Sequence, residues 1–447
     1  MLDEKKYKTK TYIHFDHRVK IDSVESYVTD ENKVSVHSFL PLIHYTVSFE
    51  KFNQKKYQNK ELIFLDEKKR DIKYAGHLDN HIYKYYSEKI QCDFYNKWCL
   101  DNDLDESVLA YRNNKEGQSN IHFAAEVISK IVEIEEAYVL VGDFTQYFDK
   151  INHLQLKKKV QEVLKVKRLT ADWFNVFQSV TKYGYYEKEL LDEIFGSTKE
   201  LKKKKKRSYF NKLSEFRTFK ATYKKELVSN KLSRIGIPQG TAISATFANI
   251  YAIDFDRIVN KLTLSHGGIY RRYSDDFIAI FPKRNFRNIQ EFLEVEELIR
   301  LTAEKENIEI QESKTDVFEY TNHKVTNLKK HANNIDYLGF IFDGISVQMR
   351  GKGPYKFYRK AEKLILKAEK TKKNKKLKKL PYRKSIYKLY TDLGINEDHG
   401  NYISYAKKSQ EVFDNVSKNT NNLMMNQIKN RKRFIEKKAG IKLSIKL

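Results

Sequence analysis

The residues best equipped for chemistry are three aspartates, Asp143, Asp275 and Asp276. Asp275 and Asp276 sit in Arg-Tyr-Ser-Asp-Asp-Phe, residues 272–277, between the apolar runs Gly268-Ile269-Tyr270 and Phe277-Ile278-Ala279-Ile280-Phe281. That pattern predicts two short strands joined by a tight turn, with the acids at its tip. Like charges held together there are unfavourable unless a cation neutralises them, so the pair suggests a divalent-metal site. An isolated Asp-Asp pair is more often a solvated turn, and needs support from elsewhere in the chain. Asp143 supplies it by ending the apolar run Ala137-Tyr138-Val139-Leu140-Val141-Gly142, where a carboxylate is costly without a partner. If that strand lies beside the 269–281 hairpin, the three carboxylates and the backbone carbonyl of Phe144 can hold two Mg²⁺ ions about 4 Å apart. Such a pair serves in-line phosphoryl transfer, one ion activating a 3′-hydroxyl and the other stabilising pyrophosphate. Asp149 suits a structural or capping role better than ligation.

A second element is Gly236-Ile237-Pro238-Gln239-Gly240-Thr241-Ala242-Ile243-Ser244. Two glycines around a proline predict a defined turn that lets backbone approach a ligand closely; an ordinary loop before a helix is the alternative.

Several elements must position these residues. Leu78, Ile82, Tyr85, Tyr86 and Ile90 share one helical face, residues 121–135 are helical, and a further helix starts at His153 with Asn152 as its N-cap. Ile243, Phe247, Ile250, Phe255, Ile258 and Leu262 predict one helix over 241–262, and another covers 289–303. Tyr337 to Val347 reads as a hairpin turning at Asp343-Gly344. Lys202 to Arg207 is a charged run, expected to be a solvated insertion. Beyond residue 350 the chain turns Lys-rich, with Ala361, Leu364, Ile365 and Ala368 marking a helical face and breaks at Pro381, Gly394 and Gly400. Residues 1–60 carry no firm assignment.

The formal net charge of +26, from 85 Lys and Arg against 59 Asp and Glu, calls for a polyanionic partner, nucleic acid before an anionic membrane surface. The 13% aromatic content suits base stacking as well as core packing. Cys92 and Cys99 are too few for a disulfide scaffold or a Cys-rich zinc site. With no apolar leader and no run of membrane-spanning length, the expectation is a soluble, cytoplasmic protein without a membrane partner.

In this order the motifs resemble those of bacterial reverse transcriptases over roughly residues 70–345. The segment around Asp143 resembles their first metal motif, and Gly236–Ser244 followed by Phe247-Ala248-Asn249-Ile250-Tyr251 their Pro-Gln-Gly motif. Tyr273-Ser274-Asp275-Asp276 is similar to their Tyr-x-Asp-Asp box. The resemblance implies an α+β right-hand polymerase, with an antiparallel palm sheet and a basic, mostly helical thumb-like domain. It divides the chain into an N-terminal extension (1–60), fingers (61–136), a palm with an insertion near 165–230 (137–350) and a thumb-like region (351–447). It implies Asp143, Asp275 and Asp276 as ligands, with the Phe144 carbonyl, for two Mg²⁺ ions, or Mn²⁺ in their place. Phe148 would be the steric gate that selects dNTPs, and Pro238, Gln239 and Gly240 would border the nascent base pair. Arg112 would face the triphosphate, Lys314 the pyrophosphate, and Tyr337, Leu338 and Gly339 would form the primer grip.

Departures narrow the group. Neither a Cys/His endonuclease cluster nor a second acidic constellation is present, and Ala245 follows Ser244 where intron and retron enzymes usually have proline. Tyr74-Ala75-Gly76-His77-Leu78-Asp79, Ala110-Tyr111-Arg112 and Asn401-Tyr402-Ile403-Ser404-Tyr405-Ala406 look like the abortive-infection and other defence-associated reverse transcriptases. That likeness implies anti-phage defence, a non-coding RNA and a DNA product as partners, and room for a companion defence protein or a homo-oligomer. A template-independent or protein-primed DNA synthase and a maturase-like RNA-binding protein are the alternatives.

Overall fold

The computed structural model describes residues 2–52, 65–330, 332–390, 401–440 and 442. Strands β1 (Leu42–Phe52) and β2 (Leu65–Tyr74) pair antiparallel along their length. β3 (Ala137–Asp143) lies apart from them, whereas β4 (Gly184–Glu187) adds to β1 in parallel and β5 (Val228–Ser229) to β4. The unassigned N-terminal region and the 165–230 insertion thus meet in one sheet, ordered β2-β1-β4-β5. An aromatic cluster of Phe15, Tyr186, Tyr209, Phe210, Phe216 and Phe219 binds the two together. Lys202 to Arg207 is exposed, as expected, ending the helix Thr198–Lys203 and turning beyond it, but Leu201 and Tyr209 anchor both its ends in that cluster.

The main sheet runs β6 (Ile269–Tyr273), β7 (Asp276–Pro282), β3, β8 (Asp316–Thr321) and β9 (Lys324–Asn327), every neighbouring pair antiparallel. The mixed α+β class and the antiparallel central sheet are as expected. Side chains alternate between its faces. Tyr138, Leu140, Phe277, Ala279 and Phe281 join the core on one side, under the helices His153–Val163, Ala242–Tyr251 and Ile289–Lys305. Ala137, Val139, Ile278 and Ile280 join the core on the other, with the helix Asn120–Ile134. Burial of both faces explains why β3 and β7 read as unbroken apolar runs.

Two expectations about elements are corrected. The helix over 241–262 is two helices, Ala242–Tyr251 and Ile253–Ser265, meeting at Ala252. The break rotates the second so that Phe255, Asp256, Val259 and Asn260 are buried while Ile258 stays 44% exposed. The 337–347 hairpin is a three-stranded meander, β10 (Ile335–Tyr337), β11 (Phe340–Phe342) and β12 (Ser346–Met349). Its first turn is Leu338-Gly339, at φ 47° and 97°, and its second contains Gly344 at φ 109°. A two-residue hairpin with both centres at positive φ matches strand twist, but it costs a leucine on the order of 1 kcal/mol or more.

The helix His77–Ile90 forms as expected, and Asn152 caps the helix at His153 by accepting from the amides of Leu154 and Gln155. After β12 come the helices Lys352–Asn374, Arg383–Tyr390, Tyr402–Val416 and Met424–Ala439. Ala361, Ile365 and Ala368 are buried, and Phe357, Ile403 and Phe413 pack in one cluster with β10–β12. Pro381 precedes Arg383–Tyr390 as expected; Gly394 and Gly400 lie outside the described residues. Among the described residues no helix is long and apolar enough to cross a membrane.

Candidate active site

The register of β3 on β7 sets Asp143 directly opposite Asp276, where facing residues have Cβ atoms about 5 Å apart. β6 and β7 close on the pair Tyr273–Asp276, leaving Ser274 and Asp275 as a two-residue turn. Ser274 stands at φ 64°, the positive value a type II′ hairpin takes at its first central residue. The Phe144 amide donates to the Asp275 carbonyl at 2.9 Å and the Gln311 amide to the Asp143 carbonyl at 2.8 Å, so strand end and turn are tied together. The end of β3 that carries Asp143 therefore abuts the hairpin tip that carries Asp275 and Asp276.

Their charges are felt. Burial, then Asp275, then Asp143 push the Asp276 carboxyl up to about 7, with Arg350 and Lys314 opposing. Lys314 Nζ contacts Asp143 Oδ1 at 2.6 Å. An all-oxygen donor set with excess negative charge fits a hard divalent cation such as Mg²⁺ or Mn²⁺. Among the described residues, no three acidic, His or Cys side chains converge on a single point, and Asp143 is drawn to Lys314 instead. The donors fit such a cation in kind, and Lys314 is the positive charge that Asp143 meets.

The largest contribution the sequence reading missed lies beneath the tip. Arg272, fully buried, makes a bidentate pair with fully buried Asp256, Nε to Oδ1 at 2.7 Å and an amino nitrogen to Oδ2 at 2.6 Å. Its other amino group donates to the Ser274 carbonyl at 2.8 Å and to Asn249 Oδ1 at 3.2 Å. Tyr270 Oη also donates to Asp256, at 2.8 Å, and Asn249 donates onward to the Ala110 carbonyl at 2.7 Å. This network fixes the turn carrying Asp275. The signal was present: in Ile269–Tyr273 the buried parity is Tyr270 and Arg272, and a charge at a buried position demands a partner.

The Pro-Gln-Gly element packs against the first acidic segment. The Gly236 amide donates to the Ile151 carbonyl and the Ile237 amide to the Phe148 carbonyl, both at 2.9 Å, while His153 Nε2 donates to the Gly236 carbonyl at 2.7 Å. Half-buried Phe148 therefore borders this turn, in which Pro238 is buried, Gln239 half-buried and Gly240 exposed. Gly240 has φ 124°, and a Cβ there would stand 2.5 Å from the Lys73 carbonyl. The Lys73 amide donates to the Gln239 carbonyl at 2.8 Å, which seats β2 on the turn. Lys73 Nζ lies 5.9 Å from the Tyr183 ring and 5.3 Å from the Tyr185 ring, a neighbourhood the sequence reading did not identify.

Arg112 is placed differently from the expectation that it faces a triphosphate. Its side chain is buried, paired with Asp105 at 2.5 Å, donating to Asn96 Oδ1 at 2.9 Å and stacked 5.5 Å from Tyr95. A guanidinium so committed braces the loop before the helix Asn120–Ile134. The Leu338-Gly339 turn lies near these carboxylates: Arg350 opposes the upward push on Asp276, burial and then Asp276 raise the Tyr337 hydroxyl, and the Arg350 amide donates to the Gly339 carbonyl at 2.7 Å. Asn120 donates to the Leu338 carbonyl at 3.0 Å and holds Tyr405 at 3.1 Å.

Hydrogen bonds tie the segments that suggested the defence group into the fold, and Ser274 Oγ donates to Tyr111 Oη at 3.2 Å. Asp79 accepts from His37 at 2.8 Å and from the Leu40 amide at 2.9 Å, and Asn401 caps the helix Tyr402–Val416.

No family model matches the chain. No curated protein matches it. Among solved structures it is similar to an apo telomerase of Candida tropicalis truncated from the C-terminal domain, at 12% identity and TM-score 0.40, covering 73% of this chain and 59% of that one. A human picobirnavirus RNA-dependent RNA polymerase, an insertion-loop deletion mutant, gives 10% and 0.40, with 77% and 55% covered. A Candida albicans telomerase in complex with a telomeric RNA fragment gives 10% and 0.35, with 93% and 65% covered. The chain thus spans under two thirds of the length of each.

Proposed function

We propose that this chain is an RNA-directed DNA polymerase that extends a 3′-hydroxyl with dNTPs. One observation carries the reading: the β3–β7 register that sets Asp143 across from Asp276, with Asp275 in the turn between β6 and β7. Asp143, Asp275 and Asp276, with the Phe144 carbonyl, would hold two Mg²⁺ or Mn²⁺ ions, whose chemistry is to activate the attacking hydroxyl and neutralise the leaving pyrophosphate. Arg272 and Asp256 keep the turn in place. Gln239 and Gly240 border the nascent pair, Phe148 crowds the sugar's 2′ position, and Leu338-Gly339 supports the primer end. The +26 charge and the Lys-rich C-terminal helices suit an RNA partner and a DNA product. Anti-phage defence, with a non-coding RNA and a companion protein or second copy, extends the proposal on the resemblance in residues 74–79, 110–112 and 401–406.

The test is incorporation of labelled nucleotides by purified protein, with and without ribonuclease treatment. Incorporation of dNTPs that needs RNA supports the reading; incorporation that survives ribonuclease replaces it with a template-independent synthase. Phe148→Ala should narrow the preference for dNTPs over rNTPs by about tenfold or more, the worth of one well-placed pocket contact. An unchanged preference removes Phe148 as the gate.

Lys314 competes with a cation for Asp143. Its head is partly exposed, so the pair is worth about 1 kcal/mol at most, or about fivefold. Lys314→Ala should therefore lower the Mg²⁺ concentration for half-maximal incorporation by up to about fivefold, while the rate at saturating Mg²⁺ falls. A metal titration that does not move counts against the competition.

A further inference from the structure

Outside the palm, the chain carries a cleft of about 1050 Å³ walled by residues 37–41, the C-terminal end of the helix Ala171–Thr181, the helix Leu213–Thr222 and the β5 region. Lys182, Arg217, Lys220, Lys224 and Lys231 line it, and no carboxylate does. Lys182 Nζ donates to the Ser233 carbonyl at 2.7 Å. The other four are exposed, and among the described residues none of their cationic heads has an ion-pair or hydrogen-bond partner. Complementing the helix C-termini accounts for Lys182 and Lys220, but Arg217 lies before the last turn of its helix and Lys231 lies on no helix. Five like charges around one opening repel one another, and an anion relieves them.

The arrangement tells which anion. Arg217 and Lys220 stand one turn apart on the helix Leu213–Thr222, Lys224 follows beyond its C-terminus and Lys231 lies past β5, so the cations are spread over separate stretches of the wall instead of sharing one helix end. Half-buried Phe39 and Tyr183 lie among the lining residues. Spaced cations beside aromatic faces are how proteins hold single strands, whereas a mononucleotide site is enclosed and mostly apolar. We propose that this cleft binds a single strand of nucleic acid by its phosphates, as an anchoring site separate from the palm. The site does not depend on the palm carboxylates being catalytic.

The test is anisotropy of a labelled oligouridylate titrated at several KCl concentrations. The quadruple variant Arg217→Ala/Lys220→Ala/Lys224→Ala/Lys231→Ala should lose about 3 from the log–log salt slope, four contacts at about 0.7 each. The control Lys203→Ala/Lys204→Ala/Lys205→Ala/Lys206→Ala removes equal charge from an exposed segment and should keep its slope. Equal losses in both, or none in the first, overturn the cleft as the site. Tripolyphosphate that saturates the protein without displacing the strand does so too. Extension of a short pre-annealed primer on its template should be unchanged in the quadruple variant; a parallel loss would make the cleft part of the palm's own substrate path.

Discussion

Asp143→Ala, and Asp275→Ala with Asp276→Ala, are expected to lower dNTP incorporation about 10³-fold or more, while the protein stays folded. Activation of the 3′-hydroxyl and neutralisation of pyrophosphate both depend on charge concentrated at the tip. Losing about 4 kcal/mol of transition-state stabilisation gives that factor. The stability readout separates this from unfolding. Asp143 and Asp276 face each other on adjacent strands, and like charges directly opposite are destabilising. Replacing Asp276 therefore removes a repulsion, and the melting temperature should hold or rise; replacing Asp143 also gives up the Lys314 pair, worth about 1 kcal/mol at most, so its melt should stay close to the parent's. Steady-state incorporation and a thermal melt on the same preparations decide the matter. Variants that keep incorporation would remove these carboxylates from the chemistry; variants that unfold would leave Asp143 and Asp276 stabilising partners, against the repulsion argued here.

What could be read from the sequence follows from what is local. Asp143 closing an unbroken apolar run, and Asp275-Asp276 between two such runs, are features of neighbouring residues, and both hold in the structure. That β3 lies beside β7, in register, joins residues more than a hundred positions apart, which no local pattern carries. Leu338 at φ 47° escaped because propensity assigns positive φ to glycine or asparagine, so the meander looked like one hairpin turning at Asp343-Gly344. The break at Ala252 escaped because Ile258 fits the apolar stripe, yet the side that is buried carries Asp256 and Asn260. Arg112 was assigned by resemblance, and only the fold shows Asp105 and Asn96 holding it. Residues 1–60 gave no pattern because β1 is completed by β4, about 140 residues away.

Asp256→Ala is expected to cost about 3–5 kcal/mol, because it leaves the Arg272 guanidinium buried without its counter-charge. In a chain of this size that lowers the melting temperature by roughly 3–5 °C. The double replacement Asp256→Leu with Arg272→Met separates stability from positioning. A buried ion pair exchanged for apolar side chains of similar volume is often neutral or stabilising, so the double variant should recover most of the loss, short of the hydrogen bond that Tyr270 Oη gave Asp256. It should nevertheless incorporate dNTPs at least about tenfold more slowly. Methionine cannot donate to the Ser274 carbonyl, so the turn that carries Asp275 loses the hydrogen bond fixing it, and small displacements of reacting groups are costly in rate. A double variant that regains both stability and rate would mean the network only fills the core. Recovery of stability alone would make Arg272 a positioning residue, acting on the chemistry through the backbone of Ser274.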